Sequence, residues 1–235
     1  MPLTLDNLLI RQGDFSLAAD LKIPVGARVA VIGPSGSGKS TLLNAIAGFL
    51  TPQSGRILLD GADLTAQRPG DRPLSILFQD QNLFPHLTVA QNVGLGLRPD
   101  LRLDTAQRAD VEAALDRVGL SGMGSRKPAQ MSGGQQSRVA LARVLLRRRG
   151  LILLDEPFAA LGPALKAEML ALLAQIADQT SATLLMVSHD PDDARAICPL
   201  TVVIDAGRAT PPVDTAALLA DPPPGLAAYL GRPDA

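Results

Sequence analysis

Gly33-Pro34-Ser35-Gly36-Ser37-Gly38-Lys39-Ser40 is the stretch that decides the fold of this chain. It satisfies the pattern G-x-x-x-x-G-K-[ST], with Gly33, Gly38, Lys39 and Ser40 at the fixed places. The apolar segment Arg28-Val29-Ala30-Val31-Ile32 before it reads as a buried strand. The segment Thr41-Leu42-Leu43-Asn44-Ala45-Ile46-Ala47 after it carries apolar residues at helical spacing. Strand, glycine loop and helix form the context that a phosphate-binding loop requires. Glycines let successive backbone N–H groups turn toward phosphate oxygens, and the helix N-terminus adds the positive end of its dipole. In this reading Lys39 reaches the β- and γ-phosphates and the Ser40 hydroxyl holds Mg²⁺.

Length and composition bound the rest. The 235 residues suit one domain of generous size, and 46% hydrophobic residues supply a substantial core. A net charge of −1 gives no broad basic footprint, so nucleic acid is not an expected partner. Cys198 is the single cysteine, which excludes an internal disulfide and points to a reducing compartment. The opening Met1-Pro2-Leu3-Thr4-Leu5-Asp6 lacks a basic segment followed by a continuous apolar run, so no signal peptide is expected. The longest apolar runs, such as Leu151 to Leu154, are far too short to cross a bilayer. The expectation is a cytoplasmic protein whose membrane role, if it has one, comes through a partner. The prolines at 211–212 and 222–224 read as turn and tail punctuation.

Short apolar runs recur along the chain. Residues 74–78, 151–154, 183–187 and 201–204 read as strands, several of them apolar on both faces, as parallel strands covered by helices should be. Residues 163–177 place Leu165, Met169, Leu172, Leu173 and Ile176 on one helical face, with Pro163 in the first turn. The fold class is therefore α/β with a mostly parallel sheet. Segments 3–10, 17–23 and 56–59 suggest an added antiparallel β layer. Residues 80–135 lack a convincing buried strand and are rich in helix formers such as Thr105 to Val118, so they read as a helical insertion. The chain is expected to be one domain over 1–235, with a nucleotide-binding core (1–79 and 136–235) and a helical subdomain (80–135).

Two further motifs carry chemistry. Leu151-Ile152-Leu153-Leu154-Asp155-Glu156 is an apolar strand ending in two carboxylates. Asp155 is placed to hold the Mg²⁺ shell and Glu156 to orient or deprotonate an attacking water. Met131-Ser132-Gly133-Gly134-Gln135 precedes a helical pattern. Ser132 suits its N-cap, and the side-chain-free turn suits a second phosphate contact.

With these motifs in order, the chain resembles the ATP-binding subunits of ABC transporters over nearly its whole length. The spacing carries the resemblance: Ser132 lies 23 residues before Asp155, and His189, in Met186-Val187-Ser188-His189-Asp190, lies 33 residues after Glu156. The resemblance implies a phosphate-loop ATPase core with a helical insertion, binding ATP and Mg²⁺. It implies nucleotide contacts at Gly33, Pro34, Ser35, Gly36, Ser37, Gly38, Lys39, Ser40 and Thr41, and at Ser132, Gly133, Gly134 and Gln135. It makes Glu156, His189 and Gln79 catalytic, and Ser40, Gln79 and Asp155 the metal-contacting set. Gln79 matches the family's glutamine loop, joining the core to the helical insertion, and His189 matches the switch histidine at the γ-phosphate. His86 reads as a surface residue near the groove for the membrane partner.

The implied mechanism is a head-to-tail homodimer. Each of two ATP molecules lies between the 33–40 loop of one copy and residues 132–135 of the other. The implied partners are an integral membrane permease and, indirectly, a periplasmic solute-binding protein. The implied place is the cytoplasmic face of the bacterial inner membrane, as a peripheral subunit.

Two departures from the family pattern stand out. Ala160-Leu161-Gly162 replaces the usual Ala-Leu-Asp, which implies weaker coupling between the two ATP sites. The aromatic residue that usually stacks on adenine is absent from its usual place, leaving Phe15 or Arg11 as candidates, with Phe15 equally suited to the core.

Within the family the chain is similar to the bacterial thiamine-import ATPases. Residues 47–52, 82–97 and 184–189 carry that similarity. ATPases for iron, sulfate or polyamine uptake share such stretches, and an export or cell-division cassette is the alternative of another class. DNA-repair cassettes need a long coiled coil and translation factors need two cassettes; this sequence has room for neither.

Overall fold

The computed structural model describes residues 1–78 and 83–231. Its centre is five parallel strands: β3 (Arg28–Ile32), β6 (Leu74–Leu77), β7 (Leu151–Asp155), β8 (Thr183–Val187) and β9 (Leu200–Asp205). They lie in the order β9-β3-β8-β7-β6. β8 is buried at every position and β7 at all but its last, which is why both read as unbroken apolar runs. Side chains alternate between two cores on opposite faces. Leu151, Leu153, Leu185 and Val187 enter one, and Ile152, Leu154, Leu184 and Met186 enter the other.

The first core lies between the parallel strands and an antiparallel layer. That layer is β1 (Leu3–Gln12), β2 (Phe15–Ile23), β4 (Ser54–Leu59) and β5 (Ala62–Asp63), in the order β5-β4-β1-β2. The two-residue strand β10 (Arg208–Ala209) stitches the layers together, parallel to β2 and antiparallel to β9. A further short strand, β11 (Val213–Asp214), pairs with β9. Helix α1 (Lys39–Ala47) fills this core with Leu42, Leu43 and Ile46, each buried. At about 1.5–3 kcal/mol per fully buried aliphatic side chain, these three residues hold the helix and its leading loop against the sheet.

The C-terminal end of α1 is closed by an unusual buried cation. Gly48 takes the left-handed conformation that stops the helix. The Arg72 guanidinium, 2% exposed, donates Nη1 to the carbonyls of Ala45 (2.8 Å) and Ile46 (2.7 Å), Nη2 to Thr65 (3.2 Å) and Nε to Gln67 (3.1 Å). A cation at a helix C-terminus complements the macrodipole; here it adds a second donor to the Ala45 carbonyl, which also accepts from Gly48 N at 3.1 Å, and serves the Ile46 carbonyl.

The second core is covered by helices. α2 (Val89–Gly94), α3 (Thr105–Arg117) and α4 (Gly133–Leu146) pack on one another, and α4 also touches β6 and α5 (Pro163–Thr180). Each of the first three begins with a reciprocal capping box: Thr88 with Gln91, Asp104 with Gln107, and Ser132 with Gln135. The loop ahead of α2 is pinned by Asn92. Its fully buried amide accepts from Phe84 N and donates to the carbonyls of Phe84, Leu87 and Thr88. Three short helices follow β8 among the described residues: α6 (Pro191–Ile197) before β9, and α7 (Thr215–Ala220) and α8 (Pro224–Tyr229) after β11. Of the prolines read as turn and tail punctuation, Pro224 opens α8 at its first helical position, with Pro223 as the N-cap. Among the described residues no helix is long and apolar enough to cross a membrane.

Candidate functional site

The glycine loop runs from the end of β3 to the start of α1, as the strand–loop–helix pattern requires. Two of its glycines have no substitute. A Cβ on Gly33, at φ +152°, would overlap the Ile204 carbonyl oxygen of β9. A Cβ on Gly38, at φ +102°, would overlap the Phe15 ring. Phe15 is half-buried and supports the loop from β2, while Arg11 is exposed near the end of β1. Ser35 and Gly36 are exposed at the loop's mouth, with Pro34 and Ser37 half-buried on either side. The Ser37 hydroxyl oxygen is buried without a hydrogen-bond partner among the described residues. This hydroxyl is a donor in the loop left free for a further oxygen acceptor.

Lys39 lies with its ammonium inside the loop, donating to the carbonyls of Gly33 and Pro34, each at 2.8 Å. Burial lowers its pKa, and the carboxylates of Glu156 and Asp155 oppose that shift. Both acids come from the end of β7. Asp155 is the last residue of that strand, and its Oδ1 accepts from the Ser40 hydroxyl at 3.0 Å. Burial pushes the Asp155 carboxyl above the usual carboxylate range. The Ser40 hydrogen bond works against this, the Glu156 charge adds to it, and Lys39 opposes it. Asp155 is therefore a carboxylate whose charge is only partly compensated, which favours a further cation beside it.

The Ser40–Asp155 spacing suits Mg²⁺. Neighbouring oxygens on an octahedral Mg²⁺ lie about 2.9 Å apart, from metal–oxygen bonds of about 2.0–2.1 Å. Among the described residues no three His, Cys, Asp or Glu side chains gather as a metal cage. Mg²⁺ in ATP sites takes one or two protein oxygens and completes its shell with phosphate and water, so two suffice.

Glu156 follows directly, and its backbone is bent to reach the site. Its φ is +47°, a left-handed conformation that costs a non-glycine residue on the order of 1 kcal/mol or more. Its N–H is held by the Val187 carbonyl at 3.1 Å, tying it to the end of β8. That places its Oε2 3.1 Å from His189 Nδ1. An ionised carboxylate only accepts, so Nδ1 carries the proton in this pair and Nε2 is left to face a ligand.

His189 stands on a braced turn between β8 and α6. Ser188 Oγ donates to Asp193 Oδ2 (2.6 Å) and accepts from Asp190 N (3.1 Å). Lys166, from α5, bridges Asp190 (2.7 Å) and Asp193 (2.6 Å). The Tyr229 hydroxyl, from α8, donates to the His189 carbonyl at 2.7 Å. None of these braces was foreseen from the sequence. Lys166 and Tyr229 sit at ordinary helix positions, with no local pattern marking them.

The structure thus brings Lys39, Ser40, Asp155, Glu156 and His189 to one end of the parallel sheet. Ser132, Gly133, Gly134 and Gln135 stand apart. Ser132 caps α4, its Oγ accepting from Gln135 N at 3.3 Å while Gln135 Oε1 accepts from Ser132 N at 3.0 Å. Gly134 is buried because α5 comes close, and a Cβ there would overlap Leu165. Among the described residues no hydrogen bond or ion pair joins 132–135 to 33–41, and Ser132 and Gly133 are exposed. Gln79 lies outside the described residues. His86 is exposed, its ring edge-on to Phe84 with centroids 6.0 Å apart.

Comparison with known proteins bears directly on this geometry. The ABC transporter family matches residues 18–159, a span running from β2 past Glu156. The thiamine import ATP-binding protein ThiQ of Cereibacter sphaeroides is 64% identical over 229 residues, covering 97% of this chain and 99% of that protein. The ThiQ of a Ruegeria species is 59% identical over the same shares. Among solved structures, the ATP-binding cassette MJ0796, a dimer in a post-hydrolysis state bound to ADP and Pi, superposes with a TM-score of 0.75. It is 29% identical, with 91% of this chain and 98% of that one covered.

Proposed function

The chain belongs to the ABC transporter family and is an ATPase; from that premise we propose that its ATP hydrolysis energises bacterial uptake of thiamine or its phosphates through a membrane permease. The near-full-length identity to thiamine-import ATPases supports the cargo. The observation that carries the mechanism is the pairing of Ser40 with Asp155 and of Glu156 with His189 beside the glycine loop.

Each residue then has a task. The loop amides of 33–41, the Ser37 hydroxyl and Lys39 take the β- and γ-phosphates, the phosphate oxygens replacing the Gly33 and Pro34 carbonyls as acceptors for Lys39. Ser40 and Asp155 hold Mg²⁺, with Gln79 as a third contact. When bound, Mg²⁺ neutralises charge on the transferring phosphoryl group. Glu156 accepts a hydrogen bond from the attacking water and polarises it toward the γ-phosphorus. His189, oriented through Nδ1 by Glu156, presents Nε2 to the γ-phosphate.

The exposed N-terminus of α4 has its use in a second copy. Ser132, Gly133, Gly134 and Gln135 complete the partner's ATP site in a head-to-tail dimer, with the helix dipole directed at the phosphates. ATP favours the closed dimer through contacts present in that state alone, and hydrolysis removes them. The helical segment passes the motion to the permease. Phe49 and Phe84, 56% and 46% exposed, lie on the surface available for that docking. The subunit works on the cytoplasmic face of the membrane, meets the solute-binding protein only through the permease, and has no nucleic-acid partner.

The test is gel filtration of Glu156→Gln with and without ATP. The proposal expects a dimer that appears with ATP and disperses when the nucleotide is removed. A variant that binds ATP and stays monomeric at every protein concentration contradicts the sandwich.

A further inference from the structure

We propose that Tyr229, on the C-terminal helix α8, is a positioning residue for hydrolysis that sets His189 through its backbone carbonyl; this rests on the ATPase reading above. The Tyr229 hydroxyl donates to the His189 carbonyl at 2.7 Å, across 40 residues of chain. β8 ends at Val187 and α6 begins at Pro191, so this carbonyl belongs to neither the sheet ladder nor the helix. The neighbouring residues are fixed from the other side, Ser188 through Asp193 and Asp190 through Lys166. The peptide joining His189 to Asp190 is held at its N–H by Ser188 Oγ (3.1 Å) and at its carbonyl by Tyr229 of α8.

The hydroxyl is delivered there by packing. Leu226 of α8 is buried in the second core, Ala227 beside it is buried as well, and the Tyr229 ring packs half-buried against that core. Gly225 lies so close to Asp205 of β9 that a Cβ would overlap its carboxylate. Helix, ring and hydroxyl are thereby located before the catalytic turn makes any demand. Burial, and after it the charges of Glu156 and Asp190, keep the phenol protonated well past neutral pH, so it stays a donor. A rotation of the 189 peptide would swing the imidazole away from Glu156 Oε2, 3.1 Å distant, and Tyr229 opposes that rotation. The residue touches neither nucleotide nor water; it acts through His189.

Composition makes the test clean. The chain has one tyrosine and two histidines, so His86 serves as an internal reference for the His189 ring. Tyr229→Phe keeps the ring and removes the hydroxyl alone. The expected result is a kcat for ATP hydrolysis lowered about 5–10-fold, with KM for ATP within twofold and the melting temperature within about 2 °C of wild type. In ¹⁵N-imidazole NMR spectra the His189 signals shift while those of His86 stay in place. An unchanged kcat, or a loss of kcat in step with KM and melting temperature while the His189 signals stay put, overturns the proposal. A wild-type protein that hydrolyses no ATP sinks the ATPase reading instead, and the NMR comparison still decides whether Tyr229 sets His189.

Discussion

His189 Nδ1 lies 3.1 Å from Glu156 Oε2, joining the ends of two adjacent parallel strands beside the phosphate-binding loop. The contact exists because Glu156 adopts φ +47° and because its N–H is held by Val187, the residue that ends β8. General-base and positioning contributions of this kind are worth about 10²–10⁴ in rate. Glu156→Gln and His189→Ala are each expected to lower kcat by at least about 100-fold while ATP still binds. The double variant should be little worse than either single one, because the two side chains act as a unit. Multiplied losses in single-turnover kinetics would show that they act independently.

Asp155 carries its charge against the tendency of its surroundings. Its folded pKa is raised, chiefly by burial. A raised folded pKa gives stability that is full below the unfolded value and lost as pH rises through the folded one. At neutral pH the ionised side chain is therefore a cost. Asp155→Asn should raise the melting temperature of the nucleotide-free protein and abolish Mg²⁺-dependent hydrolysis. Differential scanning calorimetry checks the first part, and a lower melting temperature would contradict it.

Arg72 is a stability residue with no part in the chemistry. Its guanidinium satisfies four backbone carbonyls, two of them at the end of α1, and is held against the cost of burial. Arg72→Met takes the donor from the Ile46, Thr65 and Gln67 carbonyls, while Ala45 keeps Gly48 N–H, at about 1–3 kcal/mol for each acceptor that water cannot reach. The expected loss is about 3 kcal/mol, or roughly 10 °C in melting temperature. Urea unfolding measures it, and a loss below about 1 kcal/mol would mean that water takes over the carbonyls.

Gly162 occupies the N-cap of α5, with extended dihedrals and no side-chain cap. Nothing lies within 4 Å of a Cβ built there, so an aspartate fits. As an N-cap, Asp improves on Gly by only a few tenths of a kcal/mol, so Gly162→Asp should leave stability nearly unchanged. Its effect belongs to the dimer: the ATP dependence of the hydrolysis rate should become steeper. Identical curves for the variant and wild type would remove Gly162 as the cause of weak coupling.

The parts of the site that were legible in the sequence are those in which one local stretch holds the chemistry. The loop at 33–40 and the acidic end of β7 are of this kind, because a strand that must be buried on both faces writes a continuous apolar run. The antiparallel layer was legible from alternation, apart from the two-residue strands β5, β10 and β11, which are too short to carry a pattern. Arg72, Asn92, Lys166 and Tyr229 were invisible for a different reason. Asn92 acts within its own loop but through a buried amide that no pattern marks, whereas Arg72, Lys166 and Tyr229 reach residues that the fold brings near, Tyr229 across 40 positions. Pro224 reads as tail punctuation in the sequence because the residue type marks a helix start and a turn equally well.

The most direct test of the central claim, that ATP turnover at this site drives thiamine uptake, is import of labelled thiamine by cells lacking the gene. These are complemented with the wild type or with Lys39→Ala, which removes the ammonium inside the loop. Uptake is expected to return with the wild type and to stay absent with Lys39→Ala at equal protein level. Equal uptake with both would contradict the claim.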